Sequence, residues 1–225
     1  MKIFLLLFIV QSILVSQTID PKFEKQILEH FGKRNYKRCV DDGVKYLIEN
    51  GNEDIKRDIL FAKRNLESYD STKLVETDSL ITICLNQLPE LIPKYAIYAG
   101  LAEVTYWMMV SQDISEEDHR RIFSFSLKYF KKAIDSTPND SNYVLSRIYL
   151  EASDIGFHFG GEEFKDDLVY KAYGYSPTGY REATEYATLM EKNGFVDSCE
   201  VILSKLYNTN PQKYSQENVY EFIRC

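Results

Sequence analysis

Histidine is scarce in this chain. His30, His119 and His158 are the three present, and none stands at a metal-ligand or triad spacing. There is no CxxC pair, no HExxH, no nucleophile elbow and no phosphate-binding glycine loop. His158 with Glu162 and Glu163 comes nearest to a metal set, but Gly160-Gly161 interrupts the helical presentation it would need. No metal, cofactor or catalytic residue is therefore expected. The paired acids Glu116-Glu117 and Asp166-Asp167 read as helix-terminal or solvated charges. Basic runs are missing too: 27 lysines and arginines face 34 acids, for a formal charge of -7. Nucleic-acid phosphates and anionic membrane surfaces both need a basic face, so both are set aside as partners. Beyond the N-terminus no second long apolar run occurs, which leaves the mature chain without a membrane span.

The N-terminus is the most specific stretch. Met1-Lys2 gives a basic start, residues 3–15 are apolar apart from Gln11 and Ser12, and Ser16 is a small residue placed for cleavage. This is the pattern of a secretory signal peptide over residues 1–16. A membrane span needs about 20 apolar residues, and this run is shorter. No cysteine follows it, so a bacterial lipoprotein anchor is not expected. Residues 17–225 then form one secreted or periplasmic domain. The full sequence is 44% hydrophobic, enough for a sizeable core.

Four cysteines remain in that domain: Cys39, Cys84, Cys199 and Cys225. An even number in an exported chain invites two disulfides, with three connectivities open. Position argues differently. Cys39, Cys84 and Cys199 each begin an i, i+4, i+7 helical face, where a small buried residue belongs. Buried thiols are the reading for Cys39 and Cys84. Cys199 and Cys225 stay candidates for a bridge.

Helical patterns run through most of the chain, and the expected fold class is all-α. Asp20-Pro21 pairs a cap with proline at the first helical position. A helix ends at Gly32, and the next runs to Asn50-Gly51. Residues 55–66 form an amphipathic helix with Ile59, Leu60 and Ala62, and the polar 69–72 stretch breaks it. Residues 74–92 are largely helical, bounded by Pro89 and Pro93. Residues 94–110 look the most buried, with Trp107 as a core anchor. Ser115 opens a capping box, and its helix carries Ser126, Phe130 and Ala133 before Pro138. Asn139-Asp140-Ser141 has the form of a glycosylation acceptor. Leu145, Ile148 and Tyr149 begin a further helix, and residues 215–224 read as a closing helix. The stretch 156–163 reads as a glycine-rich loop. With the tyrosines of 170–180 it forms a specific insertion, offering either stacking surface for a peptide or sugar, or packing.

The stretch 183–211 gives the clearest unit. Ser176-Pro177 reads as a helix start. Ala183, Tyr186, Ala187 and Met190 follow at helical spacing, and Asn193-Gly194 makes a stop. A second helix carries Cys199, Leu203 and Leu206, and Pro211 ends it. The unit resembles a tetratricopeptide repeat (TPR). Ala187 falls at the small position of the first helix, Gly194 at the turn and Cys199 at the small position of the second helix. Leu206 departs from the family's usual alanine. Tyr36 with Cys39, and Ser126 with Phe130, Ala133 and Pro138, mark weaker copies. The resemblance implies antiparallel helix pairs in a TPR-like α-solenoid or an irregular helical bundle. It also implies a ligand face on the first helices, which falls here on Arg181, Thr184, Glu185, Thr188, Glu191 and Lys192. Every surface helix has such a polar side. The function that follows is a non-catalytic scaffold for a protein or peptide partner. Residues 88–152 also resemble helical periplasmic components that accompany solute transporters. An enzyme without a recognisable motif is the third reading.

Overall fold

The structure is a computed structural model and describes residues 19–67, 74–88, 91–110, 115–159, 161–209 and 211. The signal segment, the 69–72 break and the closing helix at 215–224 lie outside the described residues. Among those described there are ten helices and no strand. They are α1 (Pro21–Gly32), α2 (Tyr36–Asn50), α3 (Glu53–Glu67), α4 (Leu74–Gln87), α5 (Lys94–Val110), α6 (Glu116–Ser136), α7 (Asn142–Phe159), α8 (Gly161–Tyr175), α9 (Tyr180–Lys192) and α10 (Val196–Thr209). Successive helices pack as pairs: α1 with α2, α3 with α4, α5 with α6, α7 with α8 and α9 with α10.

Local chemistry sets the boundaries. The Asp20 carboxylate accepts from the Lys22 N–H at 2.9 Å, and Pro21 occupies the first helical position. Asn35 caps α2 by accepting from the Arg38 N–H at 3.2 Å. Ser115 caps α6 by accepting from the Asp118 N–H at 3.1 Å. Two pairs share one turn design. The Phe195 N–H reaches back to the Met190 carbonyl at 2.8 Å, across Gly194 at φ +80°. The Asn35 N–H does the same to the His30 carbonyl at 2.9 Å, across Arg34 at φ 57°. In both, a left-handed residue lets orphan carbonyls at the helix end find donors.

Burial follows the helical stripes. The main core runs from Phe23 and Ile27 of α1 to Leu168 of α8, with Tyr36, Cys39, Cys84, Leu101, Tyr129 and Phe130 inside. A separate core holds the last pair together through Ala183, Ala187, Cys199, Ile202, Leu203 and Leu206. A small cluster of Leu150, Val169, Ala172 and Leu189 joins α7, α8 and α9. Cys39 and Cys84 are buried free thiols, and the Cys39 thiol donates to the Ile27 carbonyl at 3.8 Å.

One feature breaks the simple pairwise stack. Helix α2 lies directly against α5, and both α3 and α4 touch α5 beside it. Gly100 makes this approach possible, because a methyl there would sit 2.5 Å from the Tyr36 carbonyl oxygen.

Several expectations are corrected. Trp107 is 45% exposed, because Tyr106 takes the inward position one residue earlier and is fully buried. Leu60 is likewise exposed, while Ile59 and Ala62 carry the buried face of α3. Helix α4 ends at Gln87 rather than at 92. The expected loop at 156–163 is instead the end of α7 and the start of α8, with residue 160 outside the described set. Gly156 is buried inside α7, where a methyl would meet the Phe164 ring of α8 at 2.6 Å. That glycine lets two helices close together; it does not end one. Nor does Ser176-Pro177 open α9. It sits in the turn after α8, and α9 begins at Tyr180 with Gly179 as its cap. Pro177 therefore ends a pair, as Pro138 does. This placement explains the spacing: 34 positions separate Val169 from Leu203 and Ala172 from Leu206. The stretch read as an insertion is the end of α7, the whole of α8 and the turn that follows it.

Candidate functional site

The six residues expected to form a ligand face lie on α9, but they do different things. Glu185, Thr188 and Lys192 line a shallow groove with Lys165, Asp166 and Val169 of α8. Its volume is about 190 Å³. Lys165 Nζ lies 3.8 Å from the Glu185 carboxylate across it. Arg181 turns the other way and pairs with Asp154 of α7. Thr184 is buried, and its hydroxyl donates to the Arg181 carbonyl at 3.2 Å. Glu191 is half-buried and lies outside the groove lining.

A buried hydrogen bond fixes α9 against α7. The Ser146 hydroxyl donates to Glu182 Oε1 at 2.6 Å, and both residues are buried. Glu182 also folds over the start of α9, where a methyl on Gly179 would meet its second oxygen. A carboxylate there complements the positive end of the helix dipole.

A second polar group continues from Arg181 across α7 to α5 and α2. Arg147, Glu151 and Asp154 stand at i, i+4, i+7 on α7, and so share one face. Arg147 Nε donates to Glu151 Oε1 at 3.0 Å. Glu151 is 8% exposed, and its Oε2 has no hydrogen-bond partner. On α5, Glu103 carries a charge that acts on Glu151. On α2, Lys37 Nζ pairs with the Asp41 carboxylate at 2.8 Å, and both charges act on Glu103. Burial raises the Glu151 carboxyl to about 8, outweighing the opposing pull of the Arg147 guanidinium. Burial raises Glu103 as well, against Lys37 and Arg147. Tyr36, buried at the start of α2, is also raised, first by burial.

Sequence reasoning passes over Glu103, Arg147, Glu151 and Asp154. A signal is present for two of them. Apart from Lys94 at its first position, Glu103 is the one charged residue of α5, and Glu151 sits between Leu150 and Ala152 in a mostly apolar run. A charge inside a buried stripe needs a partner or a purpose. The tyrosines of 170–180 prove to be packing elements for the most part. Tyr173 stacks on Tyr186 at 4.3 Å, and Tyr175 on Tyr149 at 5.7 Å. Tyr170 is 61% exposed.

Successive helix pairs, a left-handed turn glycine and a 34-residue spacing between the last two pairs now stand together. The fold is a TPR-like helical repeat. No family model matches the chain, and no curated protein matches it. Among solved structures, it is similar to a thermophilic TPR protein in Thermus thermophilus. The two share 15% identity over 90% of this chain and 97% of the other, with a TM-score of 0.49. Among the described residues, no group of three or more His, Cys, Asp or Glu is placed to hold a metal ion. No helix among them is long and apolar enough to cross a membrane.

Proposed function

We propose that this chain is a non-catalytic helical-repeat scaffold that binds a protein or peptide partner in a secreted or periplasmic setting. One observation carries the reading. Glu185, Thr188 and Lys192 of α9 line an open groove with Lys165 and Asp166 of α8, and the groove carries charges of both signs. The groove lies between α8 and α9, helices of two successive pairs, which suits an extended segment lying across the stack.

A photo-crosslinking residue placed at Glu185 or Thr188 tests this in full-length protein. A control position is Phe61, which is 52% exposed on α3. Capture of one defined partner from positions 185 and 188, competed by excess unlabelled protein and absent from position 61, is the expected result. Equal capture at all three positions, or capture at 61 alone, overturns the choice of face.

Two further parts of the reading concern the chain ends. Residues 1–16 are a signal peptide, so the N-terminal sequence of exported protein should begin at residue 17. Cys199 is bridged to Cys225, which ties the end of the chain to α10. Thiol titration of unfolded, unreduced protein should then find two reactive groups, Cys39 and Cys84. Four would exclude the bridge.

A further inference from the structure

Many exposed cations of this chain are matched with an acid one helical turn away. Lys33 pairs with Glu29, Lys37 with Asp41 and Lys171 with Asp167. The first turns of α6 follow the same pattern, with Arg120 on Glu116 and Arg121 on Glu117. The second half of α6 does not. Lys128, Lys131 and Lys132 make no ion pair among the described residues, and neither does Lys94 at the start of α5. One turn before the three lysines of α6 stand Ser124, Leu127 and Lys128, so no acid is offered from that side. Asp135, one turn after Lys131, makes no ion pair with it, and its charge acts on Tyr149 of α7.

These lysines lean on aromatic rings. Lys132 Nζ lies 4.8 Å from the centre of the Tyr129 ring and 5.6 Å from that of Tyr98 on α5. Lys128 Nζ lies 5.7 Å from Tyr129 and 6.0 Å from Phe125. Two ammonium groups thus share one ring, whose negative face attracts both. They also stand at i, i+4, where like charges repel. Lys131 is exposed beside Lys128, and Lys94 precedes Tyr98 by one turn on the same face of α5. Four cations therefore surround an aromatic floor, in a chain whose formal charge is -7.

We infer that this α5–α6 patch docks an acidic segment of a partner protein, with one carboxylate received between Lys128 and Lys132. Neighbouring acids of the segment meet Lys131 and Lys94. The inference rests on the scaffold reading and adds a second contact to it, since none of these residues lines the α8–α9 groove. A carboxylate relieves the repulsion between Lys128 and Lys132. The rings hold both ammonium groups in place beforehand, which lowers the ordering cost of binding. Nucleic acid fits less well. Tyr129 is fully buried, and Tyr98 and Phe125 are half-buried under the lysines, so these rings are not open to a stacking base. An anionic membrane fits less well too, because a broad surface lying along α6 also meets Glu116 and Glu117 at its other end. A short segment touches the patch alone.

Fluorescence anisotropy with full-length mature protein tests this. The probes are labelled (Gly-Glu)4-amide, its uncharged (Gly-Gln)4-amide counterpart, and, in separate runs, a short single-stranded DNA and phosphatidylglycerol vesicles. Overall charge works against the Glu peptide, so its binding reports a local patch. The Glu peptide should bind at least about fivefold more tightly than the Gln peptide, the scale of two exposed ion pairs. That advantage should shrink as salt is raised from about 0.05 to about 0.5 M. K128Q/K132Q should abolish it while circular dichroism shows the fold kept. K22Q/K25Q removes the same charge from exposed lysines of α1 and should bind like wild type. Three results overturn the inference: no preference for the Glu peptide, equal loss in both double variants, or binding of vesicles or DNA through Lys128 and Lys132 without binding of the Glu peptide. Crosslinking from Glu185 and Thr188 does not depend on this patch, so failure here is distinguishable from failure of the scaffold reading.

Discussion

Glu151 joins stability to pH through one carboxyl. In the folded chain burial raises it to about 8, while in the unfolded chain it titrates near its ordinary 4.5. Between those values the folded state holds a proton that the unfolded chain has lost. The group's contribution is therefore full below about pH 4.5 and is lost as pH rises toward 8. E151Q removes that dependence. Urea unfolding at pH 5 and pH 8 should show wild type losing stability relative to the variant as pH rises; parallel behaviour would sink the assignment. Gly100 gives a second prediction of the same scale. Glycine to alanine in a helix interior ordinarily gains roughly 0.5–1 kcal/mol. Here the added methyl meets a backbone oxygen at 2.5 Å, and backbone cannot rotate away. G100A should lower stability by about 1–3 kcal/mol. A higher urea midpoint would show that α2 and α5 do not approach this closely.

Elements are legible in the sequence to an uneven degree, and the misses have one cause. Capped helices such as α1, α2 and α6 can be read because Asp20, Asn35 and Ser115 act locally. Glycine and proline mislead where their role is tertiary. Gly156 serves contact with Phe164, and Pro177 closes a pair from inside its turn. Taking both as local punctuation hides the α7–α8 pair and the 34-residue spacing with it. Of the expected α9 residues, Glu185, Thr188 and Lys192 line the groove and Thr184 does not: both threonine hydroxyls bond to their own helix, and only burial, which depends on the neighbouring helices, separates them. Glu103 and Glu151 acquire meaning only from helices far away in sequence. At this scale the α9–α10 turn can be tested directly. Gly194 has φ +80° and open space around its α-carbon, so G194A changes backbone conformational energy alone. A loss of about 1–2 kcal/mol is expected by chemical denaturation. No change would mean the left-handed turn is dispensable.

Over the whole molecule, the apolar interior is divided. The last pair has its own core and meets the rest through the small cluster around Leu150 and Val169, the Ser146–Glu182 hydrogen bond and the Arg181–Asp154 pair. Solenoid pairs stabilise each other mainly through nearest neighbours. Truncating Leu203, which is 3% exposed, should cost about 2–5 kcal/mol, felt first in its own pair. Hydrogen exchange on L203A should show faster amide loss in α9 and α10 while α1, α2 and α5 keep their protection. Uniform loss across the chain would mean that the two cores unfold as one.

The contact between α2 and α5 has a kinetic consequence. Most helix neighbours here are close in sequence, which favours rapid assembly. Tyr36 and Gly100 stand 64 positions apart, so joining them closes a long loop before any contact offsets the lost chain entropy. Closure of α2 on α5 is therefore expected to be slower than formation of the helix hairpins, and G100A should slow refolding if that contact forms in the rate-limiting step.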